Sequence, residues 1–244
     1  LSVATSAKLF NLKAVIVVPI GANPVKINLI KQAGAQVIEA GNNFDESSIV
    51  VAEISQKNGF YYVHPANEPH LVNGVGTEFL EIIEELPEVE AIILPIGGGS
   101  EAAAATATLK PINPNIDIIG VQAKCSSAAY QSWQQGKIVE SSNETLAGGF
   151  ATGTAYETTF DIYKNHLTDF VLLSENEILN GIALAAHHTK NLVEGAGSST
   201  LMAAWKLKDK LKGKKVVLQF SGANASPDEL QKAYELPSFV NGNF

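Results

Sequence analysis

Ala91-Ile92-Ile93-Leu94-Pro95-Ile96-Gly97-Gly98-Gly99-Ser100 is the stretch on which the fold turns. Four apolar residues stopped by a proline have the length and character of a buried strand. Three glycines permit a turn through positive φ, and the alanine-rich run behind Ser100 favours a helix. Lacking side chains, Gly97, Gly98 and Gly99 let backbone N–H groups converge on an anion, with the positive end of the helix dipole behind them. The same composition also makes a tight strand-to-helix turn that binds nothing, and the stretch alone leaves these two readings level. It does not have the spacing of a dinucleotide fingerprint, and no Gly-Lys-Ser/Thr of a P-loop follows.

Outward from this loop the chain alternates. Upstream, a helix is expected over residues 3–10, an apolar strand over 13–19, and a helix from Pro24 with Asn23 as its N-cap. A strand at 35–39 follows, then a helix capped by Asp45 and stopped by Gly59, then a short third strand at 60–63. Such alternation means right-handed βαβ units and a parallel sheet. His64-Pro65-Ala66-Asn67-Glu68-Pro69 breaks the rhythm and marks a domain crossover. Downstream, a helix from about His70 to Leu86 carries Gly74-Val75-Gly76-Thr77, where glycines allow close helix packing. Strands are expected at 91–94, 117–122, 169–173 and 215–220. Ser174-Glu175-Asn176-Glu177 has the form of a capping box. The glycine-rich residues 146–153 are either a linker or a wall against a flat ligand. The small residues at 195–199 admit either another helix or a ligand. Ser221 stands at the carboxyl end of a strand, where ligands bind in open α/β sheets.

Composition narrows the classes of partner. Of 244 residues, 45% are apolar, enough for a sizeable core, and the formal charge is -8. That balance argues against nucleic acid or an anionic membrane as partner and favours a small molecule. The single cysteine, Cys125, cannot form an internal disulfide and suits a reducing cytoplasm. No run of about 18 apolar residues is present, so neither export nor membrane insertion is expected. The chain opens at Leu1 in helical spacing, without a start methionine, and so reads as a piece whose beginning is missing.

The landmarks together resemble the fold-type II, tryptophan-synthase-β-like pyridoxal-phosphate enzymes, and most closely the threonine dehydratase and serine racemase group. The resemblance covers essentially the whole chain. It is carried, in order, by Gly-Ala-Asn-Pro-Val-Lys (21–26), His-Pro (64–65), Gly-Val-Gly-Thr (74–77), Pro-Ile-Gly-Gly-Gly-Ser (95–100), Gly-Val-Gln (120–122), Leu-Val-Glu-Gly-Ala-Gly (192–197) and Ser-Gly-Ala-Asn (221–224). It implies an α/β fold of two open, mostly parallel three-layer αβα sheets. Residues 1–66 would be the remainder of the small domain and 67–244 the large cofactor-binding domain.

The resemblance also implies a cofactor, pyridoxal 5'-phosphate. Gly97, Gly98, Gly99 and Ser100 would hold its phosphate, Gly149 would lie beside the ring, Glu194 would face the cofactor side of the pocket, and Ser221 would face the pyridine nitrogen. A neutral serine does not keep that nitrogen protonated as a carboxylate would, which favours β-elimination over transamination. The implied activity is an ammonia-lyase acting on L-threonine or L-serine and releasing a 2-oxo acid and ammonia. A homodimer in the cytoplasm, in amino-acid metabolism such as isoleucine biosynthesis, goes with it. Serine racemase or a related β-eliminase is the enzymatic alternative.

The family's catalytic lysine and its substrate-carboxylate loop are absent, and the resemblance puts both upstream of Leu1. A catalytically silent homologue that keeps the fold and binds phosphate is therefore the alternative from another class. Further departures are Ser100 in place of a fourth glycine and Glu101 as an unusual charge beside a phosphate. Gly148 replaces a common acidic residue and Gly153 a frequent arginine. Gln122 and Ala128 stand where serine racemases carry metal-binding carboxylates, so no metal is expected. His64 and His70 read as loop and cap residues, His187 and His188 point apart as helix neighbours, and Cys125 reads as structural.

Overall fold

The apolar run at 13–19 contributes a short strand, β1 (Val15–Val18), which pairs in parallel with β2 (Gln36–Glu39) so that Val15 faces Gln36 and Val18 faces Glu39. These strands belong to the first of two compact units, Leu1–His64 and Pro65–Phe244, in a computed structural model that describes residues 1–241. Around the pair lie α1 (Ser2–Leu9), α2 (Pro24–Gln32) and α3 (Phe44–Asn58). Asn23 caps α2 as expected, its side chain accepting from the Val25 N–H at 2.9 Å, with Pro24 at the first helical position.

Two readings of this unit need correction. Asn43, not Asp45, caps α3: its side-chain oxygen accepts from the Glu46 N–H at 2.9 Å, while the Glu46 carboxylate reaches back to the Asn42 N–H. Asp45 instead lies in the first turn, where its charge meets the helix dipole. The run at 60–63 forms no strand. Phe60 and Tyr61 there are largely exposed, so the run lacks the covered faces that a parallel strand needs.

The second unit carries a four-stranded, wholly parallel sheet in the order β5-β4-β3-β6, with β3 at Ala91–Pro95, β4 at Asp117–Ala123, β5 at Asp169–Leu173 and β6 at Val216–Leu218. Strand alternation divides its core. Ile92 and Leu94 of β3 join one cluster with Val72 and Phe79 of α4 (Pro69–Glu85) and the alanines of α5 (Ser100–Ile112). To this side also belong Ala129 of α6 (Ala128–Gln135) and Phe160 of α7 (Glu157–Tyr163). Ala91 and Ile93 face the other way, toward Ile178 of α8 (Glu175–Leu184), Ala203 of α9 (Gly195–Lys206) and Leu211 of α10 (Lys208–Leu211). Helices on both faces make a three-layer αβα unit, which is why these strands read as unbroken apolar runs.

The predicted capping box at the start of α8 is present, with Ser174 and Glu177 satisfying each other's backbone N–H groups. A π-helical turn, Ala185–Thr189, follows α8. The helix favoured by the alanine-rich run behind Ser100 continues to Ile112, with Pro111 in its last turn. A Cβ on Gly76 would lie 2.9 Å from Thr108 Oγ1, so the expected close packing is that of α4 on α5. The small residues of α9 meet a helix: a Cβ on Gly181 of α8 would lie 2.7 Å from the Ser198 carbonyl oxygen. The chain continues with α11 (Pro227–Tyr234), headed by a second capping box at Ser226, and α12 (Pro237–Asn241).

Candidate functional site

Strand order alone points to one crevice. From β3 the chain moves outward through β4 to β5, whereas β6 lies on the opposite side of β3. The switch falls between β3 and β6, and ligands bind at the carboxyl ends of strands at such a point. The glycine loop leaves β3 there, and Ser221 follows β6 there.

The loop is held from behind by its carbonyls. Thr159 Oγ1 donates to the Gly98 carbonyl at 2.7 Å, Thr152 Oγ1 to that of Gly97 at 3.4 Å, and the Ala103 N–H to that of Gly99 at 2.9 Å. The amides of Gly97, Gly98, Gly99 and Ser100 have no protein acceptor among the described residues. Donors left without partners at a helix start are the feature that binds anions.

Two of the glycines are sterically required. Gly99 has φ +84°, and a Cβ there would meet Tyr163 Cε1 at 2.7 Å; one on Gly97 would lie 2.1 Å from the Gly149 carbonyl oxygen. Gly149 belongs to a 3-10 turn, Gly148–Phe150, whose buried end is fixed by Ser126 Oγ donating to the Phe150 carbonyl at 2.7 Å. Within the glycine-rich segment 146–153, Gly149 thus lines the crevice. The linker reading does not hold, because Thr145 and Leu146 are also tied to the Glu175 carboxylate, each at 2.8 Å.

Together these elements enclose a cavity of about 200 Å³. All seven candidate residues named above, Gly97, Gly98, Gly99, Ser100, Gly149, Glu194 and Ser221, line it, with Pro95, Glu101 and Ala196. Glu194 is buried at the start of α9 but does not cap its own helix. Its carboxylate accepts from the Asn224 N–H at 3.1 Å and presses on the loop after β6, where a Cβ on Gly222 would meet Oε1 at 2.7 Å. Ser221 is exposed at the cavity mouth.

In the sequence Glu101 is only an unusual charge beside the glycine loop; the structure makes it a lining residue. It is open to solvent only in part, and burial, with the charges of Glu78 and Glu194 nearby, pushes its carboxyl up to about 8. Nothing in local sequence announces this, because Glu78 and Glu194 are brought close only by the fold.

Other singled-out residues lie elsewhere. His70 is the second residue of α4, whose N-cap is Glu68, accepting from the His70 N–H at 3.1 Å. His187 Nε2 lies 2.6 Å from the Phe239 carbonyl oxygen. Among the described residues no group of three or more His, Cys, Asp or Glu side chains could hold a metal ion. Gln122 turns its side-chain oxygen to the Tyr130 N–H at 3.1 Å. No helix among the described residues is long and apolar enough to cross a membrane.

Known proteins resemble this chain in sequence and in fold. An L-threonine ammonia-lyase from Thermotoga maritima is 37% identical over 223 residues, which are 91% of this chain and 55% of that protein. The processed form of threonine deaminase isoform 2 from Solanum lycopersicum superposes with a TM-score of 0.88 at 31% identity, over 96% of this chain and 69% of that structure. Maize serine racemase gives 0.86 at 27% identity, over 95% and 72%. The chain thus spans a little over half the length of the Thermotoga relative. Residues 1–222 match the family model described as pyridoxal-phosphate dependent enzyme, and the chain belongs to that family.

Proposed function

We propose that residues 67–244 form the cofactor-binding domain of an ammonia-lyase acting on L-threonine or L-serine, with residues 1–66 the remainder of a smaller domain. The observation that carries this reading is the row of unpartnered amides, Gly97 to Ser100, in one cavity with Gly149 and Ser221. The cavity fits a phosphate-bearing ring: amides for the phosphate, a glycine wall that admits a flat group, and a hydroxyl at the mouth. Pyridoxal phosphate, when bound, supplies an electron sink for charge developing at the substrate α-carbon.

The chain's own residues would do the rest. Gly97, Gly98, Gly99 and Ser100 would hold the phosphate by N–H donation, and Gly149 would keep one face clear. Glu194, anchored by Asn224, orients the loop that presents Ser221. The Ser221 hydroxyl would face the ring nitrogen and, being neutral, would not charge it, which would favour β-elimination. That balance agrees with the threonine ammonia-lyase name of the 37% identical relative. Serine racemisation is the enzymatic alternative. A homodimer, a cytoplasmic setting and a part in isoleucine biosynthesis are finer expectations within this proposal.

None of the ten lining residues is a lysine. This favours a second reading, in which the polypeptide keeps the cradle and binds phosphate without turnover. Adding pyridoxal phosphate, reducing with borohydride and mapping peptides separates the two. The enzymatic reading expects a labelled lysine and a 2-oxo acid from threonine; neither appearing sinks it for this polypeptide. The cradle has its own check. Gly97→Ala forces a Cβ against the Gly149 carbonyl, and a loss of phosphate affinity of roughly tenfold or more is expected, as for one misplaced charge-assisted contact.

A further inference from the structure

The cavity that would take a phosphate dianion is lined by two carboxylates, Glu101 and Glu194, and by no basic side chain. All seventeen basic residues of the chain are lysines, so there is no arginine fork for a phosphate. Four amides offset part of a dianion's charge. They do not offset a dianion together with two ionised carboxylates.

The carboxylates around Glu101 are not alike. Glu194 accepts from the Asn224 N–H. Glu78, on α4, accepts from Gln219 Nε2 at 2.7 Å. Each thus has a hydrogen-bond donor. The Glu101 side chain, in the first turn of α5, has no hydrogen-bond donor among the described residues and borders the cavity. Of the neighbouring elements, α7 presents Tyr163, whose hydroxyl is kept protonated by burial. β3 has no titratable residue, and Asp117 of β4 lies at the far, amino end of the sheet, paired with Lys214.

We propose that Glu101 is a proton-carrying ligand of the phosphate: its protonated carboxyl donates to an oxygen of a phosphate monoester dianion in the glycine cradle, and in alkaline solution, where the free Glu101 carboxyl is ionised, binding takes up one proton from solvent onto it. No bond to phosphorus forms or breaks, and the only transfer is that proton. The inference rests on the reading of the cavity as a phosphate site. Its logic is substitution of a donor for a missing cation. A half-buried carboxyl pushed up to about 8 is protonated at neutral pH, and a neighbouring dianion holds the proton more tightly.

The test uses the whole chain and methyl phosphate, a dianion above its second ionisation near pH 6. Binding is followed from about pH 7 to about pH 9.5 by calorimetry in two buffers of different ionisation enthalpy, which counts protons directly. The expected result is a Kd that rises about tenfold per pH unit above about pH 8, with uptake approaching one proton per site. Glu101→Gln keeps an uncharged donor that cannot titrate, so it should lose both the slope and the uptake. A flat profile without uptake in the parent, or an unchanged slope in Glu101→Gln, overturns the coupling and leaves the phosphate reading standing. No methyl phosphate binding by either protein at pH 7 overturns both.

Discussion

The first unit's β1 and the second unit's β3 are both short runs of branched apolar residues, Val-Ile-Val-Val and Ala-Ile-Ile-Leu-Pro. Every residue of β3 is fully buried, whereas every residue of β1 is half-buried. The difference comes from what lies on the faces. Around β3, alternate residues enter two clusters, each closed by its own helices. Around β1, the buried cluster consists of Ala4, Ile30 and Ala35, with Ile16 and Val18 only packed against it. An apolar run permits burial on both faces; burial itself depends on helices that bring enough small and apolar side chains to cover them.

The largest expected effect separates the two strands directly. Ile92→Ala, at a position with no exposed surface, should lower the local opening free energy of β3 and β4 by about 4 kcal/mol, from lost transfer and a residual cavity. Ile16→Ala removes the same atoms from a half-covered site and should cost β1 and β2 roughly 1–2 kcal/mol. Amide hydrogen exchange read on peptides from each sheet gives both numbers. Equal losses would break the contrast, and would mean that partial exposure does not diminish what Ile16 contributes to its sheet.

The same contrast explains how much was legible in advance. The strands of the second unit, the capping boxes and the glycine loop were readable because each is written in contiguous residues. The false strand at Phe60 was not, since its apolar run satisfies the local pattern and fails only for want of a covered face. The cap of α3 misled for a different reason: Asn43 and Asp45 are both good capping types, and the backbone decides between them. Asn43 is extended, at φ −149° and ψ 178°, while Asp45 is already helical. Seven cavity residues were picked out by motif order. Glu101 was seen as odd but not as a partner of Glu78 and Glu194, which lie about two dozen and about ninety residues away in sequence.

A smaller effect tests what depth costs the second unit. The Glu101 carboxyl is near 4.5 in its ordinary range and about 8 when folded, so between those values the folded chain binds more protons than the unfolded one. Stability therefore falls as pH rises across that window, and the contribution is fully present only below about 4.5. Glu101→Gln should flatten the profile and leave the protein more stable at about pH 9 by roughly 1–3 kcal/mol. Glu39→Gln, on the exposed end of β2, is the counterpart and should stay within about 0.5 kcal/mol across the range. Urea unfolding at several pH values measures both, and a Glu101→Gln profile that keeps the parent's slope would show that the carboxyl is ionised in the folded state.

The smallest expected effects are those in which the two units should agree. Asn43 caps α3 in the first unit and Ser174 caps α8 in the second, each accepting from the N–H three residues on. A cap satisfies a donor at the helix end and needs no covered face, so its worth should not follow the burial of the sheet beside it. Asn43→Ala and Ser174→Ala should each cost about 1 kcal/mol in the opening of their own helices. Asp45→Ala, which removes only a charge near the dipole, should cost about 0.3–0.5 kcal/mol. Exchange in peptides from α3 and α8 reads all three. If Asn43→Ala costs as little as Asp45→Ala while Ser174→Ala costs its full amount, local capping also depends on the surrounding core, and the difference between the units extends below the level of packing.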